Sequence, residues 1–411
     1  EVNKHLGVDS RVVGPEEIAR ALPMMDMSCG GHAPIVGALY HAPGAVAPGR
    51  VDALASQIDI HAAYGGVFPA LAKRAHAEKI VPLMVEALTQ AGLYSETDTM
   101  FGTDSKQIIA DLCTKDIDLA IHLEAFLNAV AKPDIDYIAV TVGPGLEPAL
   151  WVGVNTAKVL GKLWNIPVIP INHMEGHIVT AAVEKTGETT YRFADLAFPT
   201  LALLVSGGHT ELVLAEGFGQ YQKIGQTRDD AVGEAFDKVA RVLGLPYPGG
   251  PAVSKLAAQF REKNIPNEFT LPRPMLHSGD YAFSFSGIKT AVLYAARDAG
   301  ELNDDQKMAL ASEFETAAIE VLVKKTIKAA AEYHAQTIIV GGGVAGNTYL
   351  RSELAKAVAE KLPQTTVLFP EPWLATDNAV MIGLAAMTQA LGNNIQTRDP
   401  EILKANGNLS L

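Results

Sequence analysis

Cysteine is scarce: Cys29 and Cys113 are the two thiols in 411 residues. Two thiols cannot build a disulfide framework or a multi-cysteine metal cluster, so a reducing compartment, the cytoplasm, is the expected location. Long apolar runs are missing as well. No stretch reaches the roughly 20 residues that a membrane-spanning helix needs, and the opening "EVNKHLGVDSRVV" carries no signal-peptide core, so no membrane partner is expected. Basic residues are in the minority, with 33 Lys and Arg against 46 Asp and Glu and a net charge of -13. That sign is a poor electrostatic start for a stand-alone nucleic-acid binder, which then needs a local basic patch or a basic partner. Tandem repeats and low-complexity blocks are not apparent. What remains is a chain 48% apolar and 19% charged, the balance of a soluble globular protein, long enough for two domains.

Apolar runs ending in glycine recur along it: "IDYIAVTVGPG" at 135–145, "LALLVSGGHTELVL" at 201–214 and "TIIVGGGVAGN" at 337–347. Between them lie helical patterns such as "AVGEAFDKVARVLGL" and "TYLRSELAKAVAEKL". Strands alternating with helices predict α/β layers. "GLPYPGGPAVSK" at 244–255 reads as an irregular connection. "KQIIADLCTKDIDLAIHLEAFLNAV" reads as helix with charged and apolar faces, an added surface element. Residues 1–20 and 392–411 have little periodic pattern and read as peripheral.

"PINHMEGHIV", residues 170–179, carries the chemistry most visibly. A short strand over 167–171 precedes it, and a helix beginning there sets His173 and His177 one turn apart on one face, the spacing of two imidazoles converging on a metal ion. The competing reading, two ordinary polar residues at a helix start, ranks somewhat behind for a pair. A zinc-protease HExxH helix places its glutamate directly after the first histidine. Here Glu175 comes two residues on, roughly 160° from each histidine at about 100° per residue, and points away. A His pair needs at least one more ligand, commonly a carboxylate. Asp377 in "ATDNAVMIG", at the start of a final apolar helix, is a candidate. Asp or Asn at such a place also serves as an N-cap, and spacing does not select Asp377 over another aspartate.

The Ser-Gly-Gly turn of "LLVSGGHTEL" lets backbone N–H groups approach a phosphate, although Gly-Gly turns are common in plain hairpins. "GGGVAGN" is a formal G-x-G-x-x-G between strand and helix (Gly341, Gly343, Gly346). It lies late in the chain, and its nearest later acid at a strand end, Glu371, is farther along than the usual spacing of about 20 residues, so it reads as a generic phosphate or nucleoside cradle at a helix N-terminus rather than a dinucleotide fingerprint. In "RDDAVGEAFDKVARVLGL" the pairs Glu234 with Lys238 and Asp237 with Arg241 make an ordinary solvated face.

In order along the chain, "DIHAAYGGVFPALAKRAH", "VTVGPGLEPALWVGVNTAK", "INHMEGH", "LLVSGGHTEL", "DDAVGEAFDKVARVLGLPYPGGP", "FSFSGIKTAV", "GGGVAGN" and "TDNAVMIG" resemble the TsaD family over about 51–390. That resemblance implies the α/β, two-lobed actin-like ATPase fold, each lobe a mixed sheet flanked by helices. Implied boundaries are an N-terminal segment 1–23, lobe I over 24–185 with a returning helix 377–392, lobe II over 186–376, and a tail 393–411. Implied too is transfer of a threonylcarbamoyl group from threonylcarbamoyl-AMP to N6 of the adenosine beside the anticodon of ANN-decoding tRNAs. By the same resemblance His173, His177 and Asp377 are metal ligands, for Fe2+ or alternatively Zn2+. Leu204, Val205, Ser206, Gly207 and Gly208 line the adenylate substrate with Asp237, Gly250 and Asn347. The implied partners are tRNA and TsaB-, TsaE- and TsaC-like proteins.

Some positions depart from the family pattern. In "MDMSCGGHAPIVGALY", Gly30, Gly31 and His32 stand where the family carries an acidic pair. Ala70 replaces a glutamate, Ala379 a common glycine, and the segment near 95–130 is longer than usual. Beside the active transferase stands a second reading, a TsaD-like scaffold without catalysis. It is favoured by the lost acids and opposed by the intact His, His, Asp set. A metalloprotease is the weakest reading, because of Glu175.

Overall fold

The computed structural model describes residues 25–26, 36–40, 53–54, 69–97, 102–185, 191–194, 196–391 and 397–411. Gly30, Gly31 and His32, with Cys29, lie outside them. The chain divides into two compact units, one of residues 1–61, 67–194 and 377–411, the other of 62–66 and 195–376.

In the first unit β1 (Met25–Asp26) pairs in parallel with β3 (Ala53–Leu54). A mixed sheet has the order β2 (Val36–Tyr40), β4 (Tyr137–Gly143), β5 (Val168–Asn172). Its β2–β4 pair is antiparallel and its β4–β5 pair parallel. Helices Glu147–Trp164 and Ala379–Leu391 pack against it. A short hairpin, β6 (Val183–Lys185) with β7 (Tyr191–Phe193), completes the unit's strands among the described residues. The buried run of β4 matches its coverage by helices, since a strand hidden on both faces loses the polar alternation.

The segment near 95–130 is two helices, Thr103–Leu112 and Ile117–Ala129, not one. The break falls at "CTKD", where Asp116 leaves helical geometry and pairs with Lys73 at 3.1 Å. Nor is this only a surface addition. Ile109, Cys113, Leu119 and Leu123 join Ile80 and Met84 of helix Pro69–Gln90 in one core cluster. Burial, reinforced by the Asp116 charge, pushes the Cys113 thiol up to about 12. A raised thiol value leaves a thiolate fraction of about 10⁻⁴ at pH 8. Iodoacetamide at pH 8 is therefore expected to spare Cys113 in the folded chain and to alkylate it after denaturation, read by peptide mass spectrometry.

The C-terminal segment also differs from the peripheral tail expected. Arg398 N–H donates to Val168 O at 3.1 Å, Asn406 N–H to Val142 O at 2.8 Å, and Gly145 N–H to Gly407 O at 3.1 Å. Leu403 is buried in the core. Gly143, at φ +151°, has no room for a Cβ because the Asn406 carbonyl fills that place. Backbone hydrogen bonds rather than an apolar stripe hold this segment, which is why no periodicity announced it.

The second unit is a five-stranded mixed sheet in the order β10, β9, β8, β11, β12. These are β8 (Thr200–Val205), β9 (Thr210–Gly217), β10 (Gln220–Gln226), β11 (Thr337–Gly341) and β12 (Thr366–Leu368). The first three form an antiparallel meander, and β8, β11 and β12 run parallel. Helices Val232–Val242, Gly249–Glu262, Ser286–Ala299, Asp304–Glu332 and Thr348–Lys361 accompany the sheet. Each unit is thus a mixed sheet with helices, the α/β class expected. Among the described residues no helix is long and apolar enough to cross a membrane.

Candidate metal centre and glycine cradle

Strand β5 ends at Asn172, whose side chain accepts from Met174 N at 2.9 Å and so starts helix His173–Thr180. The helix places both histidines on one face. Their rings meet edge to face, 4.9 Å between centroids and 87° between planes. Asp377, just before helix Ala379–Leu391, brings Oδ1 to 3.3 Å from His173 Nε2 and 3.1 Å from His177 Nε2. Among the described residues these three form the group whose ligand atoms could share a metal ion, all within 4.8 Å of one another. The capping role that competes for Asp377 falls instead to its neighbour: Asn378 Oδ1 accepts from Met381 N at 2.9 Å.

The chemistry of the donor set fits a cation. For metal–ligand bonds of about 2.0–2.1 Å, neighbouring ligand atoms sit about 2.9 Å apart in an octahedron and about 3.3 Å in a tetrahedron, and the two N···O separations fall in that interval. Both ring nitrogens of His177 are buried without a hydrogen bond to a described residue. Nε2 is near Asp377 but not aligned to donate to it, as expected when both atoms aim at a shared third point. Burial holds His177 below its ordinary value, against the opposing pull of Asp377. Burial pushes Asp377 the other way, but the two histidines hold its carboxyl well below the usual range. A neutral imidazole and an ionised carboxylate are the forms that bind a metal.

Glu175 is buried and takes a hydrogen bond from Gln389 Nε2 at 3.3 Å, on helix Ala379–Leu391. It stands apart from the ligand group, so the geometry needed by a zinc-protease glutamate is not met on this helix.

The expected adenylate residues all lie in the second unit, where the parallel strands β8 and β11 end side by side; such ends are where open α/β sheets bind ligands. Leu204 and Val205 are buried, so only their main chain can face a ligand. Ser206 Oγ accepts from His209 N at 3.1 Å and shapes the Ser-Gly-Gly turn. Gly233 N–H donates to Ser206 O at 3.2 Å, seating helix Val232–Val242 on that turn. One turn further along that helix, Asp237 Oδ1 accepts from Gly249 N at 2.7 Å. Asp237 therefore caps the next helix instead of serving only a solvated surface pair, and burial raises its carboxyl despite the amides of Gly249 and Gly250. The stretch read as irregular to 255 is helical from Gly249. From that helix Ser254 Oγ accepts from Asn347 Nδ2 at 2.9 Å. The loop before Asn347 returns to the start: Gly342, at φ +92°, lies so close to the Val205 carbonyl that a Cβ would collide with it. The contacts close a ring. Around it, a Cβ on Gly250, Gly343 or Gly346 would meet open space, so their backbone is accessible.

Asn347 is less available than its expected role suggests. Oδ1 accepts from Leu350 N at 2.8 Å as a helix cap, while Nδ2 donates to Ser254 and, at 2.6 Å, to Glu315 Oε1. Glu315 is 1% exposed and ion-paired with Arg261 at 2.7 Å. Arg261 in turn lies 3.6 Å over the Tyr349 ring. Sequence reasoning missed Glu315 and Arg261. The signal was a lone acid at a core-facing position of helix Asp304–Glu332, among Ala311, Ala318 and Leu322.

A profile of the TsaD family, described as tRNA N6-adenosine threonylcarbamoyltransferase, matches residues 51–100 and 120–384. Proteins of that same name are similar over most of the chain. One from Acidovorax sp. (strain JS42) is 41% identical over 357 residues, covering 87% of this chain and 88% of its own. One from Syntrophotalea carbinolica is 42% identical over 335 residues, 81% and 83% of the two chains. One from Nitrosospira multiformis is 40% identical over 362 residues, 88% and 90%.

Proposed function

The chain belongs to the TsaD family of acyltransferases, and from that membership and its two sites we propose that it forms N6-threonylcarbamoyladenosine in tRNA. The donor is threonylcarbamoyl-AMP, and the acceptor is N6 of the adenosine next to the anticodon in ANN-decoding tRNAs. The amine nitrogen bonds to the carbamoyl carbon and loses a proton. The bond from that carbon to the phosphate oxygen breaks, and AMP leaves.

The observation that supports this most is the convergence of His173, His177 and Asp377 within a chain about 40% identical to named transferases. These three would hold one divalent ion, Fe2+ or alternatively Zn2+, which supplies Lewis-acid stabilisation of charge on phosphate or carbonyl oxygen. In the second unit the backbone of Gly207, Gly343 and Gly346 suits an adenylate phosphate, as at other glycine turns and helix starts, with Gly208 and Gly250 lining the same cradle. Asp237 suits a ribose hydroxyl. Fixing the carbonyl beside these donors makes orientation and charge stabilisation the main sources of rate. An acidic chain needs help to hold tRNA, which accords with TsaB-, TsaE- and TsaC-like partners in the cytoplasm.

The test supplies threonine-labelled threonylcarbamoyl-AMP, an unmodified ANN-decoding tRNA and the candidate partners to the purified chain. Label is expected in N6-threonylcarbamoyladenosine after nuclease digestion, with one AMP released per modified nucleoside. Unlabelled tRNA would favour the scaffold reading, to which the replaced acids at Gly30 and Gly31 point.

A further inference from the structure

Between the two histidine ligands sits a glycine with no metal-binding group of its own. Gly176 is buried, and a Cβ built on it would stand 3.0 Å from Met381 Cγ, 3.2 Å from Met381 O and 3.3 Å from Met381 C. Two of those three atoms are backbone, so a side chain at 176 would have to push helix Ala379–Leu391 itself by a few tenths of an ångström. The third ligand, Asp377, lies two residues before that helix begins. Asn378 Oδ1 holds Met381 N at 2.9 Å, so Asp377 and Met381 belong to one stiff turn. A second tie between the same helices, Gln389 to Glu175 at 3.3 Å, hinders rotation about the first.

We infer that Gly176 is a positioning residue for the metal centre, setting how closely the Asp377 turn approaches the histidine helix. The inference rests on the metal reading above. Metal sites tolerate bond-length errors of about 0.2 Å, and close-packed interiors transmit a displacement rather than absorb it. The shift that Gly176→Ala forces is of that size or larger.

Cobalt(II), a spectroscopically visible probe, is titrated into the metal-free full chain and into Gly176→Ala, Gly176→Ala/Met381→Ala and Gly161→Ala. Gly161 is the control, because its Cβ would meet Val168 and the Ile166 carbonyl, a tight contact of the same unit that involves none of the three ligands. Cobalt affinity of Gly176→Ala is expected to fall by about 10–100-fold, the range for disturbing a ligand's support, with a changed visible band. Removing Met381 Cγ in the double variant should recover only part of the affinity, because the Met381 backbone contacts at 3.2 and 3.3 Å remain. Gly161→Ala should lower Tm and keep the parent Kd. A parent-like Kd and spectrum in Gly176→Ala would overturn the inference, as would equal weakening in Gly161→Ala. A parent chain that binds no cobalt would overturn the metal reading and this inference together, and is distinguishable from both.

Discussion

Asp377→Ala is expected to lower metal affinity by more than the roughly 10–100-fold typical of losing a supporting residue and to slow threonylcarbamoyl transfer by about 10²–10³-fold, the scale of removing one electrostatic stabiliser. The reason lies in the donor set. Asp377 is the anionic member, its Oδ1 is 3.3 and 3.1 Å from the two imidazoles, and the histidines keep it ionised. Without it, two imidazole nitrogens remain, and among the described residues the ligand group has no other carboxylate to offset a cation. Asp377→Asn keeps the shape and loses the charge, so it should fall between parent and alanine. Metal content by mass spectrometry and initial transfer rates check both. Unchanged metal content in Asp377→Ala would mean that the ion sits elsewhere.

Glu315→Ala is expected to destabilise the chain by about 3 kcal/mol, the lower end of the range for stripping one partner from a buried ion pair. The lower end applies because the Arg261 side chain keeps 28% exposure. The loss also removes one acceptor of Asn347 Nδ2, freeing the loop that precedes it. Glu315→Gln retains an oxygen for Asn347 and should cost roughly half as much, since a hydrogen bond involving a charged group contributes about 1.5–3 kcal/mol. Urea denaturation with adenylate binding measured alongside tests this. Both variants should bind adenylate more weakly, and a change in stability below about 1 kcal/mol in Glu315→Ala would contradict the buried-pair reading.

Local signals carried much of the fold and of the candidate metal centre. A strand followed by histidines four apart gave the helix face directly, and the runs ending in glycine gave β4, β8 and β11 with their turns. What stayed hidden depends on partners distant in sequence. Asp and Asn stand side by side at 377 and 378, and nothing local says which one caps the helix and which faces the histidines. Gly249 starts a helix despite the poor propensity of Gly-Gly because Asp237 accepts its N–H. The pairing of Gly176 with Met381 has no periodic signature at all. Asp237 illustrates the opposite error, since its spacing to Arg241 suggested a solvated ion pair while burial and the Gly249 contact define its surroundings. Glu315 was legible in principle, as a charge in an otherwise apolar helical stripe.

The most direct measurement is the transfer rate on an unmodified ANN-decoding tRNA as metal is titrated into the metal-stripped chain, beside a His173→Ala, His177→Ala variant. Threonylcarbamoyl-AMP and the partner proteins are supplied to both. The rate should rise from near zero to a plateau at one ion per parent chain, while the variant binds no stoichiometric ion and forms no product. Full transfer by the stripped parent, or by the variant, would contradict a metal centre at His173, His177 and Asp377. Stoichiometric metal in the parent with no product at any loading would identify the chain as a scaffold.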